Sequence, residues 1–338
     1  MFGPTTCDFA RLLDNPSLII FSDRRVIGVG WWSVFWGGRS YVKGQMLRKP
    51  MKQITRRALL SGATTGISVL ACPAILQAQT DVLRFGLTPV FLSNDLDLLS
   101  RLQDYLTSKI GMPVELVSRR TYQEVTALLV SGQIHSAWIC GYPFVQYRSS
   151  LNLVATPVWK GRPLYQAYLI AAADRNIKDW RALKGDIHAF SDPDSNSGYL
   201  VTEALLAEHS LRNDTFFAHS FFTYGHRNVI RAVAQGLAQS GSVDGYVWEV
   251  MRTLEPALVE KTKVVRASEW LGFPPIASPK HLASDTRIAL LRDALVGMKR
   301  DPRGIAILEM LQLDAFAVEE EELFDDIAAK VAILRSAT

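Results

Sequence analysis

Residues 192–200 read Asp-Pro-Asp-Ser-Asn-Ser-Gly-Tyr-Leu and combine residue types that hold small anions. The segment follows an apolar run at 188–191 and precedes a helical pattern at 199–208. Backbone N–H groups at the start of a helix, together with hydroxyls, donate hydrogen bonds to an oxyanion. The pattern predicts an anion cradle formed by Ser195, Asn196 and Ser197. An ordinary helix cap is the alternative interpretation, because Ser, Asn and Asp are the commonest caps.

A second candidate segment, Tyr-Gly-His-Arg-Asn at 224–228, also follows a strand pattern and opens a helix. His226 at such a position can donate a hydrogen bond to an oxyanion. The alternative is again a structural cap.

The third candidate is Cys140, in the segment Trp-Ile-Cys-Gly-Tyr at 138–142. It lies just past a predicted strand and at the start of a predicted helix. A helix N-terminus lowers the pKa of a thiol and favours the thiolate. The alternative is a small, buried apolar residue.

Strand patterns and helical patterns alternate along the chain from Asp81 onward, and these elements must position the candidate residues. Helical patterns cover 94–110, ended by Gly111, and 122–130. We expect no strand in the last part, where 287–298, 303–313 and 319–334 are helical patterns. The strand patterns lie at 82–87, 114–117, 136–139, 152–158, 166–172, 187–190, 215–222, 243–247 and 263–266. This alternation predicts an α/β protein with parallel sheets flanked by helices, long enough for two lobes.

The charge of the chain is uneven. Residues 1–57 carry ten Lys/Arg and three Asp, which leaves 27 of the 37 basic and 30 of the 33 acidic residues for the rest. The body therefore has no overall basic surface, and we expect no nucleic-acid partner.

Residues 51–78 have the order of an export signal: a basic region with Arg56 and Arg57, an uncharged run, and a small residue, Ala78, at a cut site. The adjacent arginines indicate a twin-arginine signal, cleaved near Ala78, and hence a periplasmic location. A retained membrane anchor and a lipidated Cys72 are the alternatives. Residues 1–50 are predicted to be an over-extended start, with a cytoplasmic extension as the alternative.

Cleavage would leave Cys140 as the lone thiol, since the other two cysteines are Cys7 and Cys72. A lone thiol excludes an intramolecular disulfide framework. No nucleotide-binding, metalloprotease or serine-hydrolase motif is present in the sequence, so we expect a binding protein without a cofactor or metal rather than an enzyme.

Taken together, these segments resemble the periplasmic phosphonate-binding (PhnD-like) family of ABC-transporter binding proteins. The resemblance is carried by residues 83–86, 111–116, 131–133, 191–201 and 225–226. It implies a type II periplasmic binding fold, in which two Rossmann-like α/β lobes are joined by two crossing segments with the ligand in the cleft. The implied division is 79–165 with 268–338 for the first lobe and 166–267 for the second.

The resemblance also implies roles for single residues. The family's Ser-Thr-Ser-Gly phosphonate cradle matches residues 195–198, and its pocket histidine matches His226. Its two pocket tyrosines match Tyr122 and Tyr165. Two carboxylates that bind the ammonium group of aminoalkyl phosphonates fall near Met251 and Pro274 here, so we do not expect aminoethylphosphonate as the ligand, although Glu249 is close to the first position.

Two functions follow as expectations. The first is a monomeric periplasmic protein that binds a phosphate-, phosphite- or phosphonate-like oxyanion and serves an ABC-transporter permease. The second rests on Cys140, because a branch of the family resembles arsenite-binding (AioX-like) sensors that act with a membrane histidine kinase. In that case the soft sulfur would coordinate arsenite. An enzyme on the same scaffold is the third class.

Overall fold

The computed structural model describes residues 81–89 and 96–337. The predicted signal at 51–78, the cut near Ala78, Cys7 and Cys72 lie outside these residues. Among the described residues, no helix is long and apolar enough to cross a membrane.

The described chain alternates short strands with helices. The strands are β1 (Leu83–Leu87), β2 (Val114–Ser118), β3 (Ser136–Trp138), β4 (Leu151–Val158), β5 (Leu164–Tyr165), β6 (Ala167–Ala172), β7 (Ile187–Phe190), β8 (His219–Phe222), β9 (Ser240–Asp244), β10 (Thr262–Ala267), β11 (Leu271–Gly272), β12 (Ile276–Pro279) and β13 (Ala315–Ala317). The α-helices are α1 (Leu96–Ile110), α2 (Tyr122–Val130), α3 (Gly141–Gln146), α4 (Val201–Glu208), α5 (Asn213–Phe216), α6 (His226–Ala234), α7 (Gly245–Leu254), α8 (Pro256–Val259), α9 (Thr286–Gly297), α10 (Pro302–Leu311) and α11 (Asp325–Ala337).

The strands form two main sheets. The first has the order β13-β4-β12-β3-β1-β2, with β1 parallel to both β2 and β3. The second has the order β10-β6-β9-β7-β8, with β7 parallel to both β8 and β9. Parallel neighbours require crossover connections, which α1, α2, α4 and α6 supply, as the alternating pattern predicted.

Two short strands join the sheets. β5 leads from the first sheet into the second, β11 leads back, and the two pair antiparallel with Leu271 opposite Tyr165. The chain therefore crosses twice between the sheets, as expected for the two-lobe architecture. The exact lobe boundaries at 165/166 and 267/268 stay a prediction.

Local sequence signals explain where helix α2 begins and where helix α1 ends. Thr121 accepts a hydrogen bond from the N–H of Glu124, whose carboxylate accepts from the N–H of Thr121 in return, so a capping box starts α2 at Tyr122. Gly111, with φ of +76°, ends α1 in a left-handed conformation that glycine adopts without strain.

Three sequence expectations about elements were wrong. The strand expected at 215–222 begins only at His219, because Asn213–Phe216 forms the short helix α5. The last part does contain a strand, β13, which pairs antiparallel with β4 through Phe316 and Pro157. It is only three residues long, too short to show an alternating pattern. The strand expected at 243–247 instead ends at Asp244, because the carboxylate of Asp244 accepts from the N–H of Val247 and starts α7.

Helix α11 packs against elements of both lobes. Its start is fixed beside α3, where the Arg148 guanidinium pairs with Asp325 at 2.9 Å and the rings of Phe144 and Phe324 pack at 4.8 Å between centroids. Its later part packs on α4 of the second lobe, where Leu334 and Glu203 line one groove. The Oε1 atom of Glu203 is buried there without a hydrogen-bond partner.

Replacing this carboxylate should change how stability depends on pH. Burial raises the pKa of Glu203 to about 7 in the folded protein. The folded state therefore holds this proton more tightly than the unfolded chain, so stability is lost as pH rises from about 4.5 to 7. We expect Glu203→Gln to be more stable than the parent at pH 8, with a Tm about 3 to 6 °C higher, and little different at pH 4.

The matched control is Glu208→Gln, because Glu208 is exposed at the end of the same helix. Its Tm should follow that of the parent at both pH values. Equal Tm values for Glu203→Gln and the parent at pH 8 would contradict the assignment.

Candidate functional site

The segment 191–200 leaves the second sheet at the end of β7 and forms one π-helical turn, Asn196–Leu200, before α4 begins. Ser195 caps the turn, its Oγ accepting from the N–H of Gly198 at 2.9 Å. Ser195, Asn196 and Ser197 are all at most 1% exposed. The helix cap, which was the alternative interpretation, is present at Ser195. The anion cradle stays a prediction, with Asn196 and Ser197 buried in the same turn.

Gly198 allows the cradle to pack closely. A Cβ at this position would lie 1.8 Å from Ser191 Oγ, 2.7 Å from Ser191 Cβ and 3.0 Å from His226 Cε1. No side chain fits between these atoms, so glycine is required by close approach.

His226 is the first residue of α6 and is 2% exposed. Its Nδ1 accepts from the backbone N–H of Asp244 at 3.1 Å, and its Nε2 lies 3.2 Å from the Tyr122 hydroxyl. Burial lowers the pKa of His226 to about 3, so the ring is neutral at pH 7. With Nδ1 as acceptor, the single proton is on Nε2, which donates to Tyr122.

The two tyrosines approach the cradle from outside the second sheet. Tyr122 begins α2 of the first lobe, and Tyr165 lies on the crossing strand β5. The Tyr165 hydroxyl accepts from Nδ2 of Asn196 at 2.8 Å. Burial raises the pKa of both phenols well above the usual value, so each keeps its proton for donation.

Cys140 also meets the cradle. It caps α3, and its Sγ accepts from the backbone N–H of Asn196 at 3.1 Å. The prediction of a lowered thiol pKa was wrong: burial of the side chain raises the pKa of Cys140 to about 12, outweighing the hydrogen bonds that lower it. The thiol is neutral at pH 7.

The structure brings all seven predicted site residues together at the junction of the two sheets. The first lobe provides Tyr122 and Cys140, the crossing strand provides Tyr165, and the second lobe provides Ser195, Asn196, Ser197 and His226. Each is at most 2% exposed.

Three further polar residues belong to this cluster and were not predicted. Asp192 accepts from the N–H of Tyr122 across the junction at 3.2 Å, and Asp244 positions His226 through its N–H. Ser191 lies against Gly198. Each follows a predicted strand directly or caps the next helix, which is the signal that could have identified them.

Charge is the unusual property of the cluster. Burial raises the pKa of Asp192, and it raises the pKa of Asp244 to about 7. Burial is the largest cause of both shifts, as it is of the lowered pKa of His226. The predicted site residues present hydroxyl, amide, thiol and neutral imidazole groups at this place.

Hydrogen-bonding capacity remains unused at the same place. Ser191 Oγ, Asn196 Oδ1 and Ser197 Oγ are buried and lack a hydrogen bond of ordinary geometry, although Ser197 interacts with the Tyr165 hydroxyl. Buried polar atoms are rarely left unpaired, so three within residues 191–197 are consistent with the predicted site for a small polar ligand.

The positions considered for a ligand ammonium group offer no free carboxylate. Met251 is fully buried on α7, and the carbonyl of Pro274 accepts from the indole of Trp138. Glu249 is ion-paired with Arg252 at 2.6 Å. A surface depression of about 550 Å³ beside β2 is lined by other residues, including Arg84 and Arg119.

Comparison with known proteins places this geometry in context. A family model described as "ABC transporter, phosphonate, periplasmic substrate-binding protein" matches residues 85–323, a range that contains the whole cluster.

Solved structures share the fold. A binding protein component of an ABC phosphonate transporter from Pseudomonas aeruginosa has a TM-score of 0.70 at 19% identity, covering 76% of this chain and 87% of that one. PhnD1 from Prochlorococcus marinus, in complex with methylphosphonate, has a TM-score of 0.68 at 17% identity, covering 75% and 98%. A Xanthomonas citri protein bound to a chloride ion has a TM-score of 0.63 at 17% identity, covering 76% of this chain and 99% of that one. The expected type II binding fold is confirmed.

Adding one methyl group to the cradle tests its packing. Gly198→Ala should lower the free energy of unfolding by about 2 kcal/mol or more, because Ser191 and His226 cannot both move away. Gly297→Ala is the control, since a Cβ there meets nothing within 4 Å, and it should leave stability unchanged or slightly higher. Urea denaturation measures both, and equal stabilities of the two variants would contradict the packing.

Proposed function

Because the chain belongs to the family of periplasmic substrate-binding proteins of phosphonate ABC transporters, we propose that its own ligand is a small oxyanion of the phosphate, phosphite or phosphonate kind. The protein would deliver this ligand to a membrane permease. The observation that carries the proposal is the set of unpaired polar atoms on Ser191, Asn196 and Ser197, buried at the junction of the two sheets.

The site supplies donors in the number that such a ligand needs. His226 donates to Tyr122, and Asn196 donates to Tyr165, so both phenolic protons remain available for a ligand. The hydroxyls of Ser191 and Ser197 add two more. Neutral hydrogen-bond donors can hold an anion, as helix N-termini do.

Ligand binding would stabilise the closed arrangement of the lobes. We assign residues 79–165 and 268–338 to the first lobe and 166–267 to the second, with β5 and β11 as the segments that bend. Four hydrogen bonds already join the lobes or the crossing strand at the site, made by Tyr122 to Asp192 and His226, and by Asn196 to Cys140 and Tyr165. A ligand in contact with both sides favours the state in which they meet.

The charge of the site argues against an aminoalkyl phosphonate. An ammonium group needs a counter-charge when it is buried. Met251 and Pro274 supply none, and Glu249 is already paired with Arg252.

The proposal includes export of the protein to the periplasm. Residues 51–78, with Arg56 and Arg57 before an uncharged run, would direct the chain through the twin-arginine route, with cleavage near Ala78.

A second candidate function is arsenite sensing through Cys140, coupled to a membrane histidine kinase. It is favoured by the position of Sγ, which contacts the cradle at Asn196. The neutral thiol is suited to arsenous acid, As(OH)₃, which is itself neutral at pH 7. An As–S bond would form as one As–O bond and the S–H bond break, releasing one water with no change in oxidation state.

A thermal-shift screen of the purified protein tests the two candidates together, using phosphate, phosphite, methylphosphonate, sulfate, arsenate and arsenite. We expect a phosphorus oxyanion to raise the Tm by mass action and Tyr165→Phe, which removes one donor, to weaken its binding about tenfold. Tyr147→Phe, at an exposed tyrosine, is the control and should bind like the parent.

Cys140→Ser separates the candidates. It should leave binding of the phosphorus oxyanion within a few-fold, whereas a protein that senses arsenite should lose its arsenite response altogether. If none of the six compounds shifts the Tm, the oxyanion proposal fails.

A further inference from the structure

Asn196 has a side chain held in one orientation. Its Nδ2 donates to the Tyr165 hydroxyl at 2.8 Å, while its backbone N–H donates to Cys140 Sγ. The residue is fully buried, and the remaining atom of the amide, Oδ1, has no partner. A carbonyl oxygen can only accept hydrogen bonds.

The neighbouring polar groups do not supply the missing donor. The Tyr122 and Tyr165 hydroxyls each accept a hydrogen bond and have a proton to give, the Ser191 hydroxyl is unpaired, and the Ser197 hydroxyl lacks a hydrogen bond of ordinary geometry. None of the four donates to Oδ1. The cluster therefore combines four hydroxyls, which can both donate and accept, with one unpaired carbonyl oxygen, which can only accept.

The nearby carboxylates differ from the Asn196 amide oxygen, because they already accept hydrogen bonds. Asp192 accepts from the N–H groups of Tyr122 and Asp194, one on each oxygen. Asp244 accepts from Val247 at the start of α7. Among the described residues of the cluster, the amide oxygen of Asn196 is the unpaired atom that can accept but not donate a hydrogen bond.

We propose that Asn196 makes the site select ligands that carry a hydroxyl group, so that a protonated oxyacid is bound in preference to an ion that only accepts hydrogen bonds. This inference rests on the proposed function and narrows its ligand class. A hydroxyl of the ligand donates to Oδ1, while its other oxygens accept from the tyrosine and serine hydroxyls.

Phosphate and sulfate separate the two kinds of ligand. Both are tetrahedral and similar in size, but phosphate keeps at least one proton at neutral pH and sulfate keeps none. A sulfate oxygen placed against Oδ1 would leave a buried acceptor unsatisfied, which costs about 10- to 100-fold in affinity. Arsenous acid meets the same requirement through its three hydroxyls.

Isothermal titration calorimetry of the purified protein with phosphate and with sulfate at pH 7 tests the selection. We expect phosphate to bind at least about tenfold more tightly. Asn196→Thr replaces the amide carbonyl by a hydroxyl that can donate a hydrogen bond to sulfate. The variant should therefore bind sulfate more tightly, so that its affinity for phosphate exceeds its affinity for sulfate by about threefold or less. Asn152→Thr, a half-buried asparagine on β4 whose amide bonds the carbonyl of Leu153, is the matched control and should keep the parent ratio.

The outcomes are distinguishable. Equal binding of phosphate and sulfate by the parent, or an unchanged ratio in Asn196→Thr, overturns this inference and leaves the proposed function standing. The first of these needs no variant and so does not depend on the folding of one. If arsenite alone binds, the same substitution should weaken it about tenfold, and unchanged arsenite affinity overturns the inference. If no oxyanion and no arsenite binds, both the proposed function and this inference fail.

Discussion

The hydrogen bonds that Asn196 makes to Cys140 and Tyr165 are the contacts on which the site depends. One residue of the second lobe binds, through its backbone and its amide, a residue of the first lobe and a residue of the crossing strand. The bond between Tyr122 and His226 closes the same junction from the other side. The residues of the proposed site come together only where the two sheets meet, which is why a ligand held there would control how the lobes are arranged.

Burial determines the chemistry of this junction more than any single charge does. It keeps His226 neutral, keeps both tyrosines and the thiol of Cys140 protonated, and raises the pKa of Asp244 to about 7. A ligand bound here would therefore meet dipoles and hydroxyl protons. Such a site distinguishes ligands by the number and direction of their hydrogen bonds rather than by their total charge.

Much of this arrangement could be predicted from the sequence. The segments around Ser195 and His226 each follow a strand and open a helix, and the parallel strands of one sheet bring such turns to the same edge. The lowered pKa expected for Cys140 was wrong, because a helix N-terminus is a local feature whereas burial depends on the whole fold.

Strand β13 was missed because a strand of three residues is too short to show an alternating pattern. The contacts of Asp192 with Tyr122, residues distant in sequence, become visible only in three dimensions.

The central claim is that a small oxyanion binds between the two lobes at this junction. A crystal structure of the protein with whichever oxyanion stabilises it most tests this directly. We expect the ion among Ser197, Asn196, Tyr122, Tyr165 and His226, in contact with groups from both lobes. An ion found elsewhere, such as in the depression beside β2 between Arg84 and Arg119, with this junction unchanged, would contradict it.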